Sequence, residues 1–280
     1  METKGENMKK PIVALMYDFD KTLSPKNMQD YGFMKGLGMT ADEFWVECTK
    51  LTKANNMDSI LSYMYMMLDK GHGKFMLNRD DFRQLGKSVK LFPGVQTWFG
   101  RINDYCKEQG LVCEHYIISS GLKEIIEGTP IAGEFKEIYA AEFLYDKDGV
   151  AKWPAMAVNY TSKTQFLYRI YKGVLDVTEQ RALNEYVPED ARRIPFRNML
   201  YFGDGDTDIP CMKLTKVNGG HSFVVYQGDK KESERLISEN RVNFAFRADY
   251  RKGSPLEKTV KAVIDSIAAT EELKLLEKHK

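Results

Sequence analysis

The chain has 280 residues, 43% of them apolar and 29% charged, which suits a protein with a sizeable buried core and excludes a disordered or low-complexity chain. Its length exceeds that of a usual single domain, so a core carrying an inserted module is expected. Lysine and arginine total 41 against 40 acids, a net charge of +1 that offers no broad basic face to nucleic acid or an anionic membrane and leaves small ligands as the expected partners.

The four cysteines, Cys48, Cys106, Cys113 and Cys211, form no C-x-x-C pair, and His72, His115, His221 and His279 show no zinc-ligand spacing. The first ten residues are polar, the apolar run after them is too short for a secretory signal core, and no segment is long enough to span a bilayer. These features point to the cytoplasm.

Ile12-Val13-Ala14-Leu15-Met16 reads as a buried strand whose exposed end is Tyr17-Asp18-Phe19-Asp20-Lys21-Thr22-Leu23. In a strand, residues two apart share a face, so Asp18 and Asp20 are expected to converge while Phe19 enters the core. Two carboxylates that close repel unless a cation sits between them or one keeps its proton. From Ser24-Pro25 to about Val89 the pattern is helical. Thr40 and Glu43 have capping-box spacing ahead of a helix over 41–53, Asn56-Met57-Asp58 opens a second that ends at Gly71, and Asn78 or Asp80 opens a third. The methionine-rich Tyr63-Met64-Tyr65-Met66-Met67 is read as packing.

After the break at Leu91-Phe92-Pro93-Gly94 a helix runs to about Gly110, and His115-Tyr116-Ile117-Ile118 returns to the sheet. Ser119-Ser120-Gly121 follows at what reads as a strand-to-helix turn, where hydroxyls and free N–H groups suit an anion or serve simply as a cap. Segments 140–145 and 150–160 flank Asp146-Lys147-Asp148-Gly149 as a β-hairpin. Lys163 falls in the first turn of a helix opened by Thr161-Ser162, where a cation opposes the helix dipole, which hints at a partner. The stretch 173–197 is a loop-rich insertion limited by Pro188 and Pro195.

Asn198-Met199-Leu200-Tyr201-Phe202 is the next strand, ending in Gly203-Asp204-Gly205-Asp206-Thr207-Asp208. Two glycines let the backbone turn, and acids at this density have little structural use without a cation. A calcium loop fits less well, because a strand precedes, the chain after reads as irregular, and no glutamate stands at the twelfth position. Strands over 222–226 and 242–246 and a last helix from Ser254-Pro255 complete the chain.

Asp18-Phe19-Asp20-Lys21-Thr22, Ser119 after a strand, Lys163 at a helix start and Gly203-Asp204-Gly205-Asp206-Thr207-Asp208 stand in an order that resembles the haloacid dehalogenase superfamily, specifically its phosphoserine phosphatase-like group. The resemblance implies an α/β fold with a Rossmann-like parallel sheet, the core formed by residues 1–24 and 90–280 and an α-helical cap by residues 25–89. It implies a magnesium-dependent phosphomonoester phosphatase acting on a small phosphorylated metabolite. Asp18 would be the nucleophile that forms an aspartyl-phosphate, and Asp20 the acid and base. Mg2+ would be held by Asp18, the Asp20 backbone carbonyl and Asp204, with Asp208 nearby. Ser119, Ser120 and Lys163 would bind the phosphoryl oxygens, and Thr22 would orient the first loop. Lys172 competes with Lys163, which is preferred for its place at a helix start. A phosphomutase using the same intermediate, or a non-catalytic phosphate-ligand binder, is the alternative. A dehalogenase is disfavoured, since protonating the leaving group by Asp20 is useless for halide. Arg79, Lys35, Lys50 and Lys53 are the cap cations that either meet substrate or are solvated.

Overall fold

The computed structural model describes residues 10–278, so His279 lies outside the described residues. The strand β1 (Ile12–Tyr17) is followed by a run of helices: α1 (Gly32–Leu37), α2 (Ala41–Asn55), α3 (Ser59–Gly71) and α4 (Arg79–Gly86). Then come α5 (Val95–Glu108), β2 (Val112–Leu122), α6 (Lys123–Glu127) and the pair β3 (Glu137–Tyr145) and β4 (Ala151–Met156). The second half comprises α7 (Thr164–Lys172), α8 (Gln180–Asn184), β5 (Met199–Gly203), α9 (Ile209–Val217), β6 (His221–Tyr226), α10 (Lys231–Ser238), β7 (Phe244–Arg247) and α11 (Pro255–Lys278).

The seven strands form one sheet in the order β4-β3-β2-β1-β5-β6-β7, parallel throughout except for the antiparallel β3–β4 pair. The hairpin expected over 140–160 is therefore the edge of the sheet, with β3 also pairing in parallel with β2. Alternate residues of the central strands enter two separate cores. Val13, Leu15, Tyr17, Leu200 and Phe202 pack against Trp98 and Phe99 of α5 and Val260 and Ile264 of α11. Ala14, Met16, Tyr116, Met199 and Tyr201 pack against Phe166 and Leu167 of α7 and Cys211 and Met212 of α9. Burial on both faces is what makes these strands read as continuous apolar runs.

Local signals account for the starts of α2, α3 and α4. Thr40 and Glu43 form the expected capping box, the Asp58 carboxylate accepts from the Ile60 and Leu61 N–H groups, and the Asn78 side chain accepts from Asp81 N. Met64, Met66 and Met67 are buried as packing, while Tyr65 is exposed. Three readings are corrected. The helices α1 and α10 were not expected, α1 being only six residues long and α10 mostly polar. The chain after the acidic cluster is not irregular but helical, since Pro210 stands in the first turn of α9, where a missing N–H costs nothing. Ser119-Ser120-Gly121 belongs to β2, which runs on through a register shift to Leu122, so the helix starts beyond it. No helix among the described residues is long and apolar enough to cross a membrane.

Candidate active site

Because β1, β2, β5 and β6 are parallel, their carboxyl ends lie on one edge of the sheet, and a cavity of about 900 Å³ opens there. Its floor includes Asp18, Asp20, Ser119, Ser120 and Asp204, and its far walls are Trp45 and Cys48 of α2, Ile60 and Tyr63 of α3, and Tyr226 at the end of β6.

Asp18 is still held by the sheet, its N–H donating to the Phe202 carbonyl at 2.9 Å, and it is buried. The strand ends there, so Asp20 is not placed by strand alternation as expected. A turn in which Thr22, Leu23 and Ser24 N–H groups all donate to the Phe19 carbonyl carries it round, with Lys21 at φ 58°. The Asp20 carboxylate then accepts from Met28 N at 2.8 Å. Thr22 is buried, its hydroxyl has no hydrogen-bond partner, and its carbonyl accepts from Tyr250 Oη at 2.8 Å.

Lys163 is fully buried and its Nζ lies 3.0 Å from Asp18 Oδ1 and 2.8 Å from Asp208 Oδ1. It gets there because it immediately precedes α7, which packs on the same face of the sheet as Ala14 and Met16 of β1. Burial alone lowers an ammonium's pKa, but the two carboxylates outweigh it and hold Lys163 above the ordinary lysine value. Lys172 is elsewhere, its Nζ donating to the Leu183 and Glu185 carbonyls, so of the two lysines only Lys163 reaches the site. Ser119 is buried and its hydroxyl oxygen accepts from Gly121 N at 3.2 Å. The Ser120 hydroxyl is buried without a partner.

Asp18, Asp204 and Asp208 present carboxylate oxygens within 4.8 Å of one another. Burial raises Asp18 to about 6 against the pull of Lys163, and burial with Asp208 and Asp18 raises Asp204 to about 8. Three carboxylates facing one ammonium carry excess negative charge when all are ionised, and a hard divalent cation with oxygen ligands fits that donor set. The Asp20 side chain is not part of the group. Asp206 is exposed and faces Arg235 at 3.8 Å.

The two glycines of the acidic loop have different roles from the one expected, since neither takes a positive φ. A Cβ at Gly203 would lie 2.5 Å from the Asp208 carboxyl carbon, whereas Gly205 faces open space. Gly203 is there for clearance, and Asp208 uses it to accept from Asp204 N at 3.2 Å.

The family scan matches the description haloacid dehalogenase-like hydrolase over residues 15–213. The chain belongs to that family. This hydrolase is 30% identical to an uncharacterized protein of Borreliella burgdorferi over 89% of its own length and 95% of that protein's. Among solved structures it shares its fold with a HAD family hydrolase from Salmonella enterica serovar Typhi, at TM-score 0.57 and 13% identity over 89% of this chain and 74% of that one. It shares it also with a phosphoserine phosphatase in its apo form, at TM-score 0.55 and 15% identity over 87% and 97%.

Two site contacts of the hydrolase had no reading in the sequence. Tyr201 Oη donates to Asp208 Oδ1 at 2.7 Å, and Tyr63 Oη donates to the Ser120 carbonyl at 2.7 Å. A phenol in an otherwise apolar buried strand needs a partner, so Tyr201 was a signal in principle. Of the cations between 25 and 89, Arg79 is committed to Glu142 at 3.1 Å and only Lys53 lines the cavity.

Proposed function

We propose that the protein is a phosphomonoester phosphatase that uses Asp18 as nucleophile and releases phosphate from a small phosphorylated metabolite. The observation that carries this reading is the buried Asp18–Lys163–Asp208 ion-pair cluster, whose Asp18 lines a cavity that the Asp20 carboxylate also lines. Lys163 keeps one oxygen of Asp18 oriented and ionised, leaving the other for attack on phosphorus. As the Asp18–phosphorus bond forms, the bond to the leaving oxygen breaks, and Asp20 gives that oxygen its proton. Burial and the Asp18 charge raise the Asp20 pKa, as suits a group that must hold a proton before the step. Asp20 then takes a proton from the water that attacks the aspartyl-phosphate, and phosphate leaves. The Ser119 and Ser120 hydroxyls, the latter without a protein partner, are assigned to the phosphoryl oxygens together with Lys163. Thr22 is assigned to holding the turn.

Asp18, Asp204 and Asp208, with the Asp20 backbone carbonyl, are the groups that would hold magnesium, whose charge offsets the carboxylates and polarises the phosphoryl oxygens. Residues 25–89 act as the cap over a core of residues 1–24 and 90–280, and the reaction is placed in the cytoplasm. The test is release of 4-nitrophenol from its phosphate ester, with and without magnesium, by the parent and by Asp18→Asn. Magnesium-dependent release that Asp18→Asn loses is expected. Near-parental turnover in the variant, or none by the parent with any divalent metal, overturns the reading.

A further inference from the structure

The cavity beyond the phosphate end has a composition of its own. Its charged residues there, Lys21, Lys53, Asp229 and Glu232, are all exposed. What is buried or half-buried is neutral: the rings of Trp45 and Tyr63, the amides of Asn27 and Gln29 and the Thr52 hydroxyl. Gln29 stands out, because it is 1% exposed and its Oε1 has no hydrogen-bond partner. A buried amide oxygen without a partner is unfavourable, and a ligand donor that pairs with it recovers the loss. Both chain neighbours of Gln29 are anchored. Met28 N donates to Asp20 on one side, and on the other the Trp45 Nε1–H donates to Asp30 Oδ1 at 3.0 Å.

We propose that Gln29 is a specificity-determining residue and that the cavity takes a neutral, hydroxyl-bearing leaving group of the sugar or polyol class. The inference rests on the phosphatase reading and names its substrate class. An amide carries both a donor and an acceptor, which matches a hydroxyl, itself both. The aromatic faces of Trp45 and Tyr63 suit the C–H surface of a polyol chain or sugar ring. A zwitterionic leaving group drawn into the same space has no buried counter-charge to meet, and burying an unpaired charge is far more costly than burying a hydroxyl.

The experiment compares glucitol 6-phosphate, phosphoserine and 4-nitrophenyl phosphate as substrates of the parent and of Gln29→Met, which keeps length and flexibility but removes the amide. The polyol ester is expected to exceed phosphoserine in kcat/KM by about tenfold or more, the order of one well-made hydrogen bond. The ratio of polyol to aryl activity should fall about tenfold in Gln29→Met. The variant should melt no lower than the parent, because the Oε1 it loses is buried without a partner. Binding of glucitol 6-phosphate to Asp18→Asn, with and without Gln29→Met, is measured by calorimetry as a readout independent of turnover. If the aryl ester is turned over but phosphoserine is preferred, or Gln29→Met leaves the ratio and the binding unchanged, the substrate class is wrong and the phosphatase reading stands. If no ester is hydrolysed while the polyol phosphate still binds through Gln29, the phosphatase reading fails and the assignment of the cavity survives. Loss of both overturns both.

Discussion

Tyr63 of α3 donates its phenolic proton to the carbonyl of Ser120, at the end of β2, across 2.7 Å. This bond ties the helical segment after β1 to the strand end assigned to phosphate, and Tyr63 is almost wholly buried when it does so. Tyr63→Phe is expected to cost about 1 kcal/mol of stability in a urea titration, as for one buried hydrogen bond. It should also lower kcat/KM for an aryl phosphate several-fold, since Ser120 loses its support. A stability loss with kcat/KM unchanged would show that the bond serves packing alone.

Lys163 Nζ is bonded to both the Asp18 and the Asp208 carboxylates. Lys163→Met removes the partner of two buried charges, and breaking such a pair costs about 3–5 kcal/mol. Magnesium should restore more of the melting temperature in Lys163→Met than it adds to the parent, because the unmatched carboxylates have more to gain from a cation. Thermal melts with and without the ion measure this, and equal increments in the two proteins count against the ion binding at these acids.

Gly203 and Gly205 differ in clearance. Gly203→Ala forces a methyl to within 2.5 Å of the Asp208 carboxyl and should cost about 1–3 kcal/mol as overpacking, with loss of activity. Gly205→Ala, with nothing within 4 Å, should stay within about 0.5 kcal/mol of the parent. The order of their urea midpoints checks the pair; a reversed order refutes the clearance argument.

His115 sits behind the site in a chain of hydrogen bonds. Trp98 Nε1–H donates to Tyr17 Oη at 2.9 Å, Tyr17 Oη is 3.1 Å from His115 Nδ1, and His115 Nε2 is 3.0 Å from Asn103 Oδ1. Neutral His115 satisfies every member, accepting at Nδ1 and donating at Nε2, whereas a charged ring would turn a second donor on Tyr17. Burial lowers its pKa from 6.5 to about 3. The unfolded chain therefore takes up a proton near pH 6.5 that the folded chain refuses. Stability is full above 6.5 and is lost as pH falls toward 3, at up to about 1.4 kcal/mol per unit. Urea titrations at pH 7.5 and 5 should show a larger loss in the parent than in His115→Gln. Equal losses would place the pH dependence elsewhere.

The strands and the acidic clusters at their ends were legible in the chain, because apolar runs and the acids that follow them are short-range patterns, while the α/β class and the parallel sheet were expected from the family resemblance those motifs carry. The helix starts at Thr40 and Asp58 were legible for the same reason, a cap being a contact between neighbours in sequence, and of Asn78 and Asp80 for the third the structure chose Asn78. Lys163 could be suspected from its helix position, yet its choice over Lys172 depends on which face of the sheet α7 covers. The same is true of the partners of Tyr63 and Tyr201 and of the buried amide of Gln29. Asp18 and Asp20 were expected together by strand alternation, but a turn closed on the Phe19 carbonyl brings Asp20 to the cavity. Periodicity records which face a residue takes within its own element, while these contacts depend on how elements far apart in the chain pack against each other, and only the folded structure contains that.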